Sequence, residues 1–219
     1  MAEPSYLRDV RASYDTVAVD YAEFVRPVFE DDVVGRAMLV AFARLVRATG
    51  GPVADVGCGP GHVTAFLHSL GLAAFGVELS PGMVAVARRD HPELTFDVGT
   101  MTDLALLDGV LGGIVAWYSV IHSPPEVLPR VFEEFYRVLA PGGHLLLGFH
   151  VGDERRRKEN GYGHEMSLDL YRLPPDRLAE LATRAGLTVD ARLVEEPKTA
   201  RAPFGCLLVR KPAAARVQG

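Results

Sequence analysis

One nine-residue stretch, Val53-Ala54-Asp55-Val56-Gly57-Cys58-Gly59-Pro60-Gly61, constrains this chain more than any other. Its first four residues read as a short buried strand. The alternating glycines then make a turn that leads into a helix. Glycine has no Cβ and tolerates positive φ, so such a turn lets a ligand approach the backbone closely. A second strand, Ala73-Ala74-Phe75-Gly76-Val77, follows and delivers Glu78 at its carboxyl end, twenty-one positions after Gly57. An acid there is placed to accept hydrogen bonds from a ribose diol, as in nucleotide-binding α/β folds. The unit reads as a site for a nucleoside-containing cofactor.

The glycine spacing narrows the choice. A dinucleotide fingerprint runs G-x-G-x-x-G, with a pyrophosphate resting on the helix N-terminus. Here the pattern is G-x-G-x-G, and His62 stands where the third glycine of that fingerprint would be. Asp55, two residues before the first glycine, would repel a pyrophosphate and suits a cationic or amino-acid end. The segment Asp55-Val56-Gly57-Cys58-Gly59-Pro60-Gly61 has the form D-x-G-x-G-x-G. In this the chain resembles the class I S-adenosylmethionine-dependent methyltransferases, whose first motif it matches position for position. Three further landmarks fall in the right order: Glu78, the Gly99-Thr100-Met101 turn, and Leu139-Ala140-Pro141-Gly142-Gly143.

At 219 residues the chain is long enough for one domain with a sizeable core. Apolar residues make up 48% and charged ones 23%, ordinary for a soluble globular protein. The net charge of −5 advertises no basic surface to nucleic acid or anionic lipid. No basic-then-apolar leader opens the sequence, and no apolar run reaches the ~18 residues of a membrane span. Two distant cysteines, Cys58 and Cys206, support neither a disulfide framework nor a zinc site. The expectation is a cytoplasmic protein without a metal, monomeric or homodimeric, that binds neither nucleic acid nor membrane.

Apolar periodicity predicts two N-terminal helices within residues 1–50, the first interrupted at Pro27. Strands and helices then alternate: strand 53–56, helix 61–70, strand 73–78, helix 82–90 opened by Ser80-Pro81, and strand 94–98. An irregular stretch to Gly113 precedes strand 114–118, a helix from about Pro125 to Leu139 and strand 144–150. Residues 152–168 break the rhythm. Charge and lack of periodicity favour a solvated loop, while the position after a strand at the ligand end admits a lid. Helix 175–185 and strands 187–195 and 204–210 complete a single domain over 1–211, and a disordered tail is expected over 212–219. Short apolar strands alternating with amphipathic helices indicate an α/β, doubly wound, mostly parallel sheet.

The resemblance covers nearly the whole chain, from about Tyr14 to Arg210. It implies a Rossmann-like sheet of seven strands in the order 3-2-1-4-5-7-6, with the last strand antiparallel and helices N-terminal to it. It also implies S-adenosylmethionine as cofactor. Asp55, Gly57 and Gly59 would lie beneath the methionine portion and Glu78 would hold the ribose hydroxyls. Met83 would pack on the adenine, Thr100 and Met101 would flank its edge, and Ser119 and Val120 would line the pocket near the sulfonium. Many relatives carry Asp where this chain has Thr100, so an adenine-amine contact there has no counterpart. Tyr14 and Tyr21, seven apart and so on one helix face, resemble the family's lid over the cofactor.

Methyl transfer from a sulfonium mainly requires near-attack placement and exclusion of water; a general base is needed only for a protonated acceptor. His122, just past the fourth strand, is the leading candidate for a base or acceptor-positioning group. His150, ending the fifth strand, is the second, and His164 a distant third. His62, His68, His91 and His144 read as structural or solvent-facing. The segment Trp117-Tyr118-Ser119-Val120 lacks the Asn/Asp-Pro-Pro-Tyr/Phe pattern of amide- and base-nitrogen methyltransferases. Together with the acidic charge, that absence points to a small-molecule acceptor, partly apolar given Trp117, Tyr118, Phe149 and Tyr162. Two alternatives remain: a non-catalytic protein that binds the cofactor, and an NAD(P)-dependent oxidoreductase, against which His62 argues.

Overall fold

The computed structural model describes residues 3–196 and 203–213. Two helices open it, α1 (Ser5–Glu30) and α2 (Val33–Thr49). Pro27 does not break α1, contrary to the expectation from sequence. It sits in the last turn, where its missing N–H costs one bond, and its carbonyl still accepts from the Asp31 N–H at 3.0 Å. The real break comes at Asp32, whose side chain caps α2 by accepting from the Gly35 N–H at 2.8 Å.

From there strand and helix alternate: β1 (Val53–Val56), α3 (His62–Ser69), β2 (Ala74–Glu78), α4 (Pro81–Asp90), β3 (Phe96–Val98), β4 (Leu111–Trp117), α5 (Leu128–Val138) and β5 (Leu139–His150). A hairpin, β6 (Arg155–Gly161) and β7 (His164–Tyr171), interrupts the alternation before α6 (Pro175–Arg184), β8 (Thr188–Val194) and β9 (Phe204–Arg210). Seven strands form one sheet in the order β3-β2-β1-β4-β5-β9-β8. The pairs from β3 to β5 are parallel, and β9 runs antiparallel to both β5 and β8. With β8 and β9 as the sixth and seventh strands, this is the Rossmann-like 3-2-1-4-5-7-6 order with an antiparallel last strand.

Both faces of the sheet are covered, which the near-continuous apolar strands require. Successive residues of β5 serve opposite cores. Leu145 and Leu147 pack with Ile114, Phe132 and Phe135 of β4 and α5, while Leu146 packs with Leu39, Phe42 and Val115 on the α2 side. All are fully buried. Truncating Phe42 or Phe132 to Ala would cost roughly 3–5 kcal/mol.

Residues 152–168 differ from the loop that composition implied. Most of them form β6–β7, a two-stranded antiparallel hairpin separate from the main sheet. Its turn is Tyr162-Gly163, both with positive φ (56° and 84°), as in the turns whose twist matches a tight hairpin. One face of β6 carries Arg156 and Lys158 in place of aliphatic residues, so hydrophobic periodicity had nothing to report. Tertiary contacts fix the pairing instead: Arg155 and Arg157 bridge to Asp169, and the Ser167 N–H donates to the Ser13 hydroxyl of α1 at 3.1 Å. Residues 214–219, most of the tail expected to be disordered, lie outside the described residues. No helix among the described residues is long and apolar enough to cross a membrane.

Candidate functional site

The chain leaves β1 through Gly57, Gly59 and Gly61, all with positive φ (77°, 53° and 85°). The first two serve different ends. A Cβ on Gly57 would lie 2.3 Å from the Ser119 Cβ, so Gly57 permits the tips of β1 and β4 to touch. A Cβ on Gly59 would meet nothing nearer than Tyr21 Cε1 at 3.8 Å, so Gly59 keeps an open floor. Ser119 completes the seam by donating its hydroxyl proton to the Val56 carbonyl at 2.7 Å. The residue before it, Tyr118, holds φ +53°, a strained value for an aromatic side chain at the mouth of a cleft.

Glu78, 8% exposed, ties the turn to the next helix. Its carboxylate accepts from the Gly59 and Ser80 N–H groups, each at 2.9 Å. Burial raises its pKa, and those N–H groups oppose the rise. Asp55 is 1% exposed. Its Oδ2 accepts from the Thr64 hydroxyl at 2.7 Å, while Oδ1 is buried without a partner. Burial pushes its pKa up to about 7, with Thr64 opposing and the Glu78 charge adding to the rise. Thr64 escaped the sequence reading; its only signal is a hydroxyl on the first turn of the helix after the glycines.

Thr100 and Met101 line the same cleft from the end of β3, and the Ser123 hydroxyl contacts the Met101 sulfur at 3.4 Å. Met83 stands elsewhere. It is 1% exposed and packs with Val17, Ala18 and Ala22 in the seam between α1 and α4, off the cleft wall.

Helix α1 lies across the opening. Asp15 fastens it by accepting from the Gly82 N–H (2.8 Å) and the Ser80 hydroxyl (2.5 Å), both at the start of α4. Tyr14 and Tyr21 meet edge to face with centroids 5.5 Å apart, and Tyr21 meets Tyr162 of the hairpin turn in the same way at 5.1 Å. The three rings form a roof over the glycine turn.

His122 ends a 3-10 turn (Val120–His122) under that roof. Its Nε2 lies 2.8 Å from the Tyr14 hydroxyl, and its Nδ1 lies 3.5 Å from the Asp169 carbonyl. A carbonyl only accepts, which favours the proton on Nδ1 and leaves Nε2 to accept from Tyr14. Burial lowers the His122 pKa to about 4. The His150 ring meets Tyr118 at a tilt of 47° with centroids 4.8 Å apart, its Nδ1 buried and unpartnered; burial and then Arg172 lower its pKa. His164 turns away to Asp20 at 2.7 Å and is not on the cleft wall. His62, read from sequence as structural or solvent-facing, is on that wall beside Phe29, because the helix it starts opens directly off the glycine turn.

These groups share one cleft of about 1040 Å³. That is the upper end for a ligand site and gives room for two molecules side by side. Among the described residues no cluster of His, Cys, Asp or Glu is arranged to hold a metal.

Residues 53–143 match the model of a family described as "Methyltransferase domain". The chain is 31% identical to a demethylmenaquinone methyltransferase of Beutenbergia cavernae over 141 residues, 64% of this chain and 57% of that protein. Residues 53–143 are thus a methyltransferase domain, on the fold of class I S-adenosylmethionine-dependent methyltransferases. It is also 35% identical over 119 residues to a trans-aconitate 2-methyltransferase of Methylobacterium nodulans, covering 52% of this chain and 41% of that one. The chain therefore spans about half the length of these curated relatives. Its fold is shared with the 1,6-didemethyltoxoflavin-N1-methyltransferase of Burkholderia thailandensis, solved with 1,6-didemethyltoxoflavin and S-adenosylhomocysteine. The TM-score is 0.69 at 22% identity, over 97% of this chain and 92% of that one. S-adenosylmethionine is the cofactor of the class, and the cleft fits it. The orphaned Asp55 Oδ1 suits an ammonium group, the Glu78 carboxylate suits a diol, and the aromatic roof suits a sulfonium.

Proposed function

We propose that this chain transfers the methyl group of S-adenosylmethionine to a small-molecule acceptor. The observation that carries this reading is the continuity of the cleft: one wall carries the glycine turn and Glu78 together with His122 and His150, where an acceptor would sit. Asp55 and the floor over Gly57 and Gly59 would take the amino-acid end, Glu78 the ribose, and Thr100 and Met101 the edge of the base. Ser119 and the Tyr14–Tyr21 pair would flank the sulfonium. When bound, the cofactor would supply a methyl group on a sulfonium, a carbon that an acceptor's nucleophilic atom can bond in line as its bond to sulfur breaks and the neutral thioether leaves.

The chain's own residues then have two tasks. The roof of Tyr14, Tyr21 and Tyr162 excludes water and holds the acceptor close, the main source of acceleration for such a displacement. His122 orients the acceptor through Tyr14, whose hydroxyl its Nε2 holds. With its pKa near 4 it is neutral at pH 7, a poor proton sink but an intact hydrogen-bond acceptor at Nε2. The Tyr14 hydroxyl, which donates to that nitrogen, can accept an O–H or N–H from the acceptor in turn. His150, with an orphaned Nδ1, is the second group placed to contact it. The relatives named above carry different acceptors, so the acceptor is assigned here only by the chemistry of that wall.

Calorimetric titration with S-adenosylmethionine, S-adenosylhomocysteine, NADH and NADPH tests the reading. Micromolar binding of the first pair alone is expected. Binding of a nicotinamide cofactor instead would overturn it. Cofactor binding with no turnover across a panel of phenols, amines and carboxylates would favour a non-catalytic binder.

A further inference from the structure

The wall of the cleft is electrically lopsided. The hairpin presents Arg156 and Lys158, two apart on β6 and so on one face, to the cleft, and Arg172 joins them just past β7. Both arginines share a single carboxylate, Glu154, at 2.8 Å. Lys158 has no carboxylate among the described residues; its ammonium rests 4.1 Å from the centre of the Tyr162 ring. Three cations thus face one anion.

The charges of opposite sign gather elsewhere on the wall. Asp32 and Glu195 act on Tyr118, whose hydroxyl is pushed up by burial first and by those two carboxylates next. The cations line the wall on the side of the two cleft histidines, His122 and His150. Lys158 and His150 both act on His122, and Arg172 acts on His150. A ligand held at Lys158 would therefore put its other end near the Tyr14–His122 pair.

A half-buried ammonium with only an aromatic face for a partner has lost water without gaining an anion. Burial depresses the pKa of Lys158, as that arrangement requires. A lysine that merely laid its stem on apolar surface would carry its head out to solvent. This one turns its head onto Tyr162, inside the wall of the cleft.

We infer that the acceptor bears an anionic group, a carboxylate or a phosphate, which Lys158 binds with Arg156 and Arg172 beside it, while its nucleophilic atom sits at Tyr14 and His122. The inference rests on the cleft of the proposed methyltransferase and names its substrate class. It makes Lys158 a specificity-determining residue. Arg156 and Arg172, already held by Glu154, set the field around it.

Trp117, 8% exposed on the cleft wall and the single tryptophan of the chain, gives the readout. The protein is titrated by fluorescence with 4-hydroxybenzoate, phenyl phosphate and the neutral 4-hydroxybenzamide, with and without S-adenosylhomocysteine. At least one anion is expected to bind about tenfold or more tightly than the amide, the scale of one charge-assisted hydrogen bond. Lys158→Met should reduce that preference to near unity with an unchanged melting temperature and unchanged S-adenosylhomocysteine affinity, and Lys158→Arg should restore it. Which anion binds better tells carboxylate from phosphate. Equal binding of acid and amide, or no saturable binding of either anion, overturns the inference. Loss of S-adenosylhomocysteine binding in the parent protein would instead defeat the methyltransferase reading, and the comparison without it would still report on the pole.

Discussion

The floor of the cleft and its roof are made of different material. At the tips of β1, β2 and β4 the floor is backbone: glycines with positive φ, N–H groups held by Glu78, and a Ser119 hydroxyl bonded to the Val56 carbonyl. The roof consists of side chains carried on α1 and the hairpin, with rings meeting edge to face and a few anchoring bonds through Ser13 and Asp15. A floor of backbone tolerates almost no substitution, because each atom has a fixed place. A roof of rings can separate and close again, since edge-to-face pairs are worth only about 0.5–1.5 kcal/mol each. The proposed function divides accordingly, with cofactor binding on the rigid region and access and acceptor choice on the adaptable one.

The sharpest break in that comparison is within the floor. Gly57→Ala combines a positive φ with a clash against Ser119, and about 3 kcal/mol of stability should be lost in chemical denaturation. Gly59→Ala should cost only about 1 kcal/mol of stability, because its Cβ enters open space. Calorimetry should nevertheless show it losing most of its cofactor affinity. If both variants lost stability equally, the distinction between a packing glycine and a ligand glycine would be wrong.

Glu78→Ala comes next. Cofactor binding should weaken by roughly 1.5–3 kcal/mol, the range for hydrogen bonds to a charged group. An affinity equal to the parent's would misplace the ribose. Tyr14→Phe tests the roof. Removing the bond to His122 Nε2 should lower kcat/KM by about 0.5–1.5 kcal/mol equivalent while S-adenosylhomocysteine affinity stays within about twofold. A large fall in cofactor affinity would instead make Tyr14 part of the binding floor.

The smallest effect depends on pH. Asp55 is held at about 7, above its ordinary value, so acidification neutralises it before most carboxylates. A cationic ligand end prefers the ionised form. Cofactor affinity should therefore fall by about 1 kcal/mol from pH 8 to pH 6 and level off above pH 8. The slope should flatten in Asp55→Asn. A flat profile in the parent would show that Oδ1 receives a neutral donor.

The floor was legible in the sequence because its requirements are local. A strand, three alternate glycines and an acid at the end of the next strand lie within 26 residues, Val53 to Glu78, and each residue type has a backbone reason to be there. The roof was legible in part. A seven-residue step between Tyr14 and Tyr21 put both rings on one helix face, but nothing in that spacing said that Tyr162 would complete them. Met83 shows the converse: a position assigned through the family motif whose side chain turned into the α1–α4 seam once Val17, Ala18 and Ala22 were there to receive it.

Sequence alone determined the strand–helix alternation, the strand order once the family resemblance was drawn, and the glycine floor. These follow from periodicity, φ preferences and a motif whose parts are close in the chain. Tertiary structure decided that residues 155–171 form a hairpin, that its face brings Lys158 to the wall, and that Tyr14 and Asp169 hold the two nitrogens of His122. Those contacts join residues 47 to 108 positions apart. Such pairings leave no periodic signal, because the energy that selects them comes from burial against elements elsewhere in the chain.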